Sequence, residues 1–381
     1  MPRLLNFVLA ALLVLLTVPA QETLAQGGEP SREPILRIET GMHTAVIKRI
    51  GVDAANRYLV TASDDKTVRV WELPTGRLLR VIRVPLGAGN EGKLFAVALS
   101  PDGTTIAAGG WTKSETGSHN IYIFDRESGR LLRRLGGLPN VVLHLVYSPD
   151  GRYLAATLGG TNGVRIYQTR DYSPAGEDRD YGNDSYGADF DRAGRLVTTC
   201  YDGFVRLYAP VGENSLRLVA KQKAAGGDRP FSVSFSPDGS RVGIGFADST
   251  RVVVVLSGRD LTPLYAPDTS GVNNGNLVSV AWSADGRTLY AGGGAEDANN
   301  RRFIRAWADG GRGAYRDIAG VAANTIQQSS PCATAASCTA RQAQPSARWT
   351  RMAGACFSPR RRLAITGTTG KAFSSRPTAL V

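Results

Sequence analysis

The chain is poor in the residues on which most metalloproteins and disulfide-rich proteins depend. Its 381 residues include only four Cys, and three of these, Cys332, Cys338 and Cys356, lie near the C-terminus. So few Cys exclude a disulfide framework. Cys332 and Cys338 are accompanied by neither a His nor a second Cys pair at zinc-site spacing. The sequence therefore predicts no metal site and no cofactor.

Catalytic motifs are also missing. The chain has no Gly-x-Ser-x-Gly nucleophile elbow, no His-Glu-x-x-His helix and no phosphate-binding glycine loop. Of its three His, the pattern predicts a buried structural His43, a strand position for His144 and an exposed loop for His119. The adjacent Asp64 and Asp65 fit a hairpin turn better than a pair of catalytic carboxylates. We therefore predict no catalytic residue and a protein that is not an enzyme.

Long apolar runs are limited to one, close to the N-terminus. Arg3 precedes an apolar run over residues 4–18. Two short segments of small residues, which end at Ala20 and at Ala25, are suited to cleavage by a signal peptidase. This order predicts a secretory signal peptide over residues 1–25. The run is shorter than the roughly 20 apolar residues of a membrane span, although a retained signal anchor is an alternative. We expect a periplasmic or secreted protein with no membrane span after cleavage.

What the chain does contain is a repeat. Six polar turns begin with Asp or Ser and end with Gly or Asn, and their last residues are 43–48 residues apart. A Ser or Asp opens such a turn, and Gly or Asn tolerates the left-handed conformation that closes it. Two alternating apolar runs follow each turn, and the second usually ends on an aromatic residue. About four strands per unit predict a radial repeat of small sheets. The turns are Asp53–Asn56, Ser100–Gly103, Ser148–Gly151, Asp191–Gly194, Ser236–Gly239 and Ser283–Gly286.

The first repeat resembles the WD-repeat propellers. Gly41-Met-His43 and the run from Ser63-Asp-Asp65 to Trp71 carry the fullest match. The resemblance implies a buried hydrogen-bonded tetrad of His43, Ser63, Asp65 and Trp71. It covers residues 35–326 and implies an all-β, seven-bladed-type WD-repeat β-propeller with six clear blades. The order of loops and the leader look most like bacterial exported WD-repeat proteins, some of which continue into a caspase-like domain.

A seventh blade should follow residue 320, but the sequence changes character there. Residues 35–38 fit the outer strand of a last blade, which would close the ring and remove exposed strand edges. From Ile318 onward, however, there is no Asp or Glu, and residues 327–381 hold eight Lys and Arg. This segment is either a disordered basic tail or a frameshifted seventh blade.

The codons favour the frameshift hypothesis. Suppose that each true codon consists of the third base of one residue's codon and the first two bases of the next residue's codon. In that frame the codons of Trp349-Thr350 can encode only Asp, and those of Met352-Ala353 can encode only Gly. The pairs between them permit Ala-Asp. The restored Asp-Ala-Asp-Gly has the form of another repeat turn, so we describe the seventh blade as incomplete or frameshifted.

The formal net charge of +12 invites a nucleic-acid hypothesis. Eight of the basic residues fall in residues 327–381, and the others are scattered among acids without a basic stripe. This distribution predicts no nucleic-acid partner.

The connections before the first strand of each unit offer a candidate binding face. In a propeller they lie on one face around the channel mouth, and here they are rich in Asn, Asp and Gly. Turn chemistry is the simpler explanation, because Asn and Asp favour such loops. Trp111 and Tyr201 would add aromatic anchors. The polar candidates are Asn90, Glu91, Asn140, Asn183, Asp184, Asp228, Asn274 and Asn276.

Together these features predict a non-catalytic, monomeric scaffold that binds a protein or peptide. One alternative is the truncated sensor part of a propeller joined to a caspase-like protease. A second is a propeller enzyme of the lactonase or dehydrogenase type, which the absence of His clusters and acidic metal loops disfavours.

Overall fold

The computed structural model has one described unit, which begins at Gly41. The predicted signal peptide and the strand over residues 35–38 lie outside the described residues. Side chains are described as far as residue 319. The described ranges are 41–85, 87–113, 117–212, 215–272, 275–297, 299–322, 326–332, 336–341 and 350–352.

Three antiparallel sheets of four strands account for the first half of this unit. The first contains β1 (Ile47–Val52), β2 (Tyr58–Ser63), β3 (Thr67–Glu72) and β4 (Arg77–Arg83). The second contains β5 (Leu94–Leu99), β6 (Thr105–Gly110), β7 (His119–Asp125) and β8 (Leu131–Leu138). The third contains β9 (Val142–Tyr147), β10 (Tyr153–Leu158), β11 (Val164–Gln168) and β12 (Pro174–Asp178).

Three more four-stranded sheets follow with the same order of strands. The fourth contains β13 (Gly187–Phe190), β14 (Leu196–Thr199), β15 (Phe204–Val211) and β16 (Ser215–Lys223). The fifth contains β17 (Pro230–Phe235), β18 (Arg241–Phe246), β19 (Val253–Ser257) and β20 (Pro263–Tyr265). The sixth contains β21 (Ser279–Trp282), β22 (Leu289–Glu296), β23 (Arg302–Trp307) and β24 (Tyr315–Ala322).

The six predicted turns each join the first two strands of a sheet. Their last residues, Asn56 and five Gly, all have positive φ, between 53° and 76°. In four of the turns a Ser side chain fixes the geometry. Ser148 Oγ, for example, donates to Asp150 Oδ1 at 2.6 Å and accepts the N–H of Tyr153 at 2.9 Å. The turn chemistry inferred from the sequence is thus confirmed.

Neighbouring sheets pack face to face, and the first strand of each lies innermost. The strands β1, β5, β9, β13, β17 and β21 contact one another in that order. One apolar cluster fills each gap between adjacent sheets; the cluster between the first two joins Val60 and Val70 to Leu99 and Ile106. Because each sheet buries both of its faces in this way, the strands alternate between two cores rather than between core and solvent.

The β-structure continues past the predicted boundary at residue 326. A three-stranded sheet contains β25 (Ile326–Cys332), β26 (Ala336–Arg341) and β27 (Thr350–Met352). Its first strand contacts β21 of the sixth sheet and β1 of the first. These strands fall within the segment for which the sequence offered two interpretations.

A hydrogen-bonded chain of side chains crosses the first sheet, with one change from the prediction. Trp71 Nε1 donates to Thr61 Oγ1 at 3.0 Å, Thr61 Oγ1 lies 2.7 Å from His43 Nε2, and His43 Nδ1 lies 2.8 Å from Asp65 Oδ2. The hydroxyl therefore comes from Thr61 and not from Ser63. Trp71 on β3 pairs with Leu59 on β2, so Thr61, two residues beyond Leu59, lies diagonally beside the indole. Ser63 is two residues further along β2 and is more distant from the indole. Ser63 Oγ instead accepts the N–H of Asp65 at 3.1 Å.

The donors and acceptors of this chain fix the direction of its protons. An indole N–H can only donate, so the Thr61 hydroxyl accepts the proton of Trp71 Nε1. A carboxylate can only accept, so Nδ1 of His43 carries the proton that it donates to Asp65 Oδ2. Burial raises the pKa of Asp65, but hydrogen bonds from His43 and Thr67 outweigh it and bring the pKa to about 2.

The fourth sheet repeats this chain with different residues. Thr198, Asp202 and Tyr208 have the same spacing as Thr61, Asp65 and Trp71, and Tyr181 takes the place of His43. Tyr181 Oη lies 2.6 Å from Thr198 Oγ1 and 2.9 Å from Tyr208 Oη. Asp202 pairs with Arg206 at 2.6 Å in place of a His. The sequence did not indicate this second network, because neither Tyr matches the expected residue type.

We predict that the hydroxyl of Thr61 stabilises the fold more than that of Ser63. Thr61→Val removes the buried hydrogen bonds of Thr61 Oγ1 to Trp71 Nε1 and His43 Nε2, each of which should cost about 1–3 kcal/mol. Ser63→Ala removes one bond to a backbone N–H and should cost about 1 kcal/mol. Chemical denaturation of the two variants measures the difference. Equal losses for the two variants would contradict the assignment of Thr61.

Candidate functional site

The inner strands enclose a channel with two unlike ends. The six repeat turns surround one end, which we call the turn end. The connections that precede the first strand of each sheet surround the other, which we call the loop end. The predicted binding residues belong to these connections and to the neighbouring strand ends, so they lie toward the loop end.

Aromatic and basic side chains meet at the loop end. The rings of Tyr186 and Tyr201 have centroids 4.8 Å apart, and those of Tyr186 and Phe231 are 5.1 Å apart. The guanidinium of Arg229 lies 5.6 Å from the ring of Tyr201, and that of Arg49 lies 5.4 Å from the ring of Phe231. We call Arg49, Tyr186, Tyr201, Arg229 and Phe231 the mouth cluster. The three rings are half-buried and Arg229 is exposed, so the cluster offers both apolar area and a cation to a partner.

Arg49 reaches across the channel at this end. It projects from β1, is only 4% exposed, and donates from Nη2 to the carbonyl oxygen of Tyr186 at 2.5 Å. Tyr186 and Phe231 belong to the fourth and fifth sheets, across the channel from β1, so the guanidinium spans the opening. Burial lowers the pKa of Arg49 to about 10, against the opposing effects of Tyr186 and Tyr201. Arg49 therefore still carries its charge at neutral pH.

Two of the predicted residues contact this cluster. Tyr201 belongs to it, and Asp184 accepts the hydroxyl proton of Tyr186 at 3.2 Å and the N–H of Gly160 at 2.5 Å. Asp228, next to Arg229 in the chain, has a side chain that is 90% exposed. Trp111 is 38% exposed and packs edge-on against His119 at 6.0 Å. His119 itself is buried, at 5% exposure, so the predicted exposed loop position is wrong.

Other predicted residues stabilise their own loops. Asn140 and Asn183 each accept the N–H of the following residue at 2.8 Å. Asn276 accepts the N–H of Gly294 at 3.0 Å and donates to the carbonyl oxygen of Ala247 at 3.3 Å. Turn chemistry thus accounts for these three Asn. Asn90 is exposed and Glu91 half-buried, while Asn274 lies outside the described residues.

Sequence reasoning missed Arg49, Tyr186, Arg229 and Phe231. All four stand at or next to the beginning of an inner strand, where an aromatic residue is indistinguishable from a core residue. The one usable signal was the pair Lys48 and Arg49 inside an otherwise apolar strand, because two basic residues in a buried strand need a special environment.

Behind Arg49 the channel holds two connected cavities. The smaller, of about 170 Å³, is lined by all six inner strands and contains His144 and Asp189. The larger, of about 380 Å³, opens at the turn end and also reaches Asp189. Burial raises the pKa of Asp189 to about 7, although the N–H groups of Phe235 and Phe190 and the hydroxyl of Ser234 act in the opposite direction. His144 accepts the N–H of Ala188 at 3.1 Å, and burial lowers its pKa well below 6.5.

The described residues contain no group of three or more His, Cys, Asp or Glu arranged to hold a metal ion. Over the same part of the chain, none of the helices has the length and apolar character needed to cross a bilayer.

Comparison with known proteins agrees with this architecture. Residues 37–72 match the family model described as WD domain, G-beta repeat. The chain is 26% identical over 260 residues to Coronin-7 of Rattus norvegicus, an alignment that covers 67% of this chain and 25% of Coronin-7. It is 26% identical over 263 residues to the guanine nucleotide-binding protein subunit beta of Nicotiana tabacum, covering 66% of this chain and 67% of the relative.

A third relative is the periodic tryptophan protein 2 homolog of Dictyostelium discoideum, 22% identical over 296 residues, or 70% of this chain and 31% of that protein. The chain thus spans a quarter to a third of the length of this relative and of Coronin-7.

With six four-stranded sheets stacked by their inner strands, the chain is an all-β WD-repeat propeller. The sheets are its blades.

The raised pKa of Asp189 predicts a pH-dependent stability. The folded state favours the protonated carboxyl, so this contribution is complete below the unfolded pKa near 3.8 and is lost as the pH rises through about 7. Asp189→Asn should remove that loss and make the unfolding free energy less dependent on pH between 5 and 8. Urea denaturation of both proteins across this range measures it, and parallel pH profiles would contradict the prediction.

Proposed function

We propose that the protein is a non-catalytic, monomeric scaffold whose loop end binds a protein or peptide partner. The mouth cluster carries this proposal, because it combines three half-buried rings with an exposed guanidinium on a rigid frame. Tyr and Arg are the residues that most often dominate the energy of protein interfaces. The propeller holds them without ordering a flexible loop on binding, which lowers the entropic cost of association.

The relatives support an interaction role. The Nicotiana tabacum relative is, by its name, a subunit of a guanine nucleotide-binding protein, and so it works within a protein assembly. Its alignment spans 66% of this chain. His43, His119 and His144 belong to three different blades, so no two of them pair for acid–base catalysis, which favours a binding role over an enzymatic one.

We predict that Tyr201→Ala and Arg229→Ala weaken partner binding without unfolding the propeller. Both side chains reach solvent, and truncating a central aromatic or Arg anchor typically costs more than about 1 kcal/mol. The partner captured by the full chain from native extract serves as the ligand in calorimetry. The double variant should bind it at least about tenfold more weakly, the equivalent of 1.4 kcal/mol.

Arg217→Ala is the matched control, since Arg217 is an exposed Arg on β16, the outer strand of the same blade as Tyr201. It should leave both affinity and melting temperature unchanged. Wild-type affinity in the double variant would exclude the mouth cluster as the binding site.

We also infer that the described strands β25, β26 and β27 stand in the position of a seventh blade, encoded in a shifted frame. β25 contacts both β21 and β1, as a blade between the sixth and first would. The faces of those two blades that turn toward it are buried: Leu59 is 1% and Trp71 is 6% exposed in the first, and Ile304 is 0% exposed in the sixth. Residues 35–38 would supply its outer strand.

Export to the periplasm or beyond completes the proposal, on the strength of the apolar leader over residues 1–25. Peptide mass spectrometry of the protein purified from its native host tests both ideas. We expect a mature N-terminus shortly after Ala20 or Ala25, and tail peptides that contain Asp and Gly where Trp349–Ala353 stands. An intact N-terminus would contradict cleavage of a signal peptide. Native peptides carrying the present tail sequence would exclude the frameshift.

A further inference from the structure

The larger cavity at the turn end is built by the repeat itself. Each of the six blades contributes the residue before its turn and the second residue of the turn. The residues before the turns form an apolar wall: Val52, Leu99, Tyr147, Phe190, Phe235 and Trp282. The second residues form a rim: Ala54, Pro101, Pro149, Arg192, Pro237 and Ala284. We call this cavity the turn-end pocket, and its volume of about 380 Å³ lies within the range of small-molecule sites.

Three carboxylates line the pocket, and only one of them has no cationic partner. Asp53 is paired with Arg57 at 2.8 Å, and Asp191 with Arg195 at 2.6 Å. Asp189 accepts the N–H groups of Phe235 at 2.8 Å and of Phe190 at 3.0 Å. Across the described ranges, no Lys, Arg or His nitrogen lies within 4 Å of its carboxylate. Asp189 is therefore the one carboxyl group of this pocket whose ionised form no cation of the described residues stabilises.

Asp189 also stands at the inner end of the pocket. It lines both the turn-end pocket and the smaller cavity behind it, so it marks the junction between them. Phe190, Phe235 and Trp282 line the turn-end pocket together with Asp189. The indole of Trp282 is held by a 3.0 Å hydrogen bond to the carbonyl oxygen of Ser234.

We propose that the turn-end pocket binds an aliphatic cation with the chemistry of a lysine side chain. Its apolar stem would pack against the wall, and its ammonium would donate to the free lone pairs of Asp189. An ionised carboxylate in an apolar site is costly unless it is paired, so a cation there stabilises both groups. The raised pKa of Asp189 is the sign of this missing partner.

The other charged groups around the pocket do not supply that partner. Arg192 is an exposed cation at the rim and would weakly repel an entering ammonium. His144, on β9, lines the smaller cavity, and its lowered pKa keeps it neutral. The Tyr147 hydroxyl is buried, and its pKa lies well above 10, so it carries no charge. The mouth cluster lies at the opposite end, and this proposal does not depend on it.

Calorimetry on the full chain tests the pocket with n-pentylammonium and the neutral 1-pentanol. The ammonium should bind the wild-type protein more tightly than the alcohol, and Asp189→Asn should weaken the ammonium at least about tenfold while leaving the alcohol unchanged. Arg192→Ala should tighten the ammonium, whereas Arg217→Ala on the outer strand should have no effect. Circular dichroism confirms that each variant is folded before it is titrated.

A pair of peptides distinguishes the two sources of such a cation. Acetyl-Gly-Gly-Lys-Gly-Gly-amide is compared with the same peptide carrying norleucine in place of Lys. If the Lys peptide binds in an Asp189-dependent way, the ligand is a side chain of a partner protein. If only n-pentylammonium does so, it is a free amine. Equal binding of n-pentylammonium and 1-pentanol, or full retention of ammonium binding in Asp189→Asn, would overturn the proposal.

Discussion

Burial of both faces of every sheet is the constraint on which this structure depends. A four-stranded sheet of three- to nine-residue strands has little interior of its own, so its side chains are covered only by the neighbouring sheets. The apolar cluster between each adjacent pair of blades shows how this is met. The turns contribute to the same end, because they fix how the first strand leads into the second in every blade.

Within this frame, polar side chains connect the segment before the first strand to the second and third strands in two blades. The first blade uses a Trp, a Thr, a His and an Asp in sequence; the fourth uses two Tyr, a Thr and an Asp paired with Arg206. Both networks share a Thr hydroxyl at the same place in the second strand. It belongs to Thr61 in the first blade and to Thr198 in the fourth. The geometry is thus kept while the chemistry changes, because a Tyr hydroxyl can both donate and accept as a His ring does.

The sequence predicted the fold well because turns and alternation are local properties. The positive φ at Asn56 and the limits of β2 and β6 all follow from residue types within a few positions. The site was predicted only in part, because it depends on which blades face each other across the channel. Tyr201 and Asp184 were recognised from their loops. Arg49 was not, since nothing near it in the chain indicates that its guanidinium ends beside Tyr186 and Phe231.

The guanidinium of Arg49 also joins parts of the propeller that are far apart in the chain. It projects from β1 and is held by a carbonyl oxygen beside β13 and by a ring of β17. The first blade is therefore tied at the axis to the fourth and fifth blades, in addition to its packing against its neighbour in the chain.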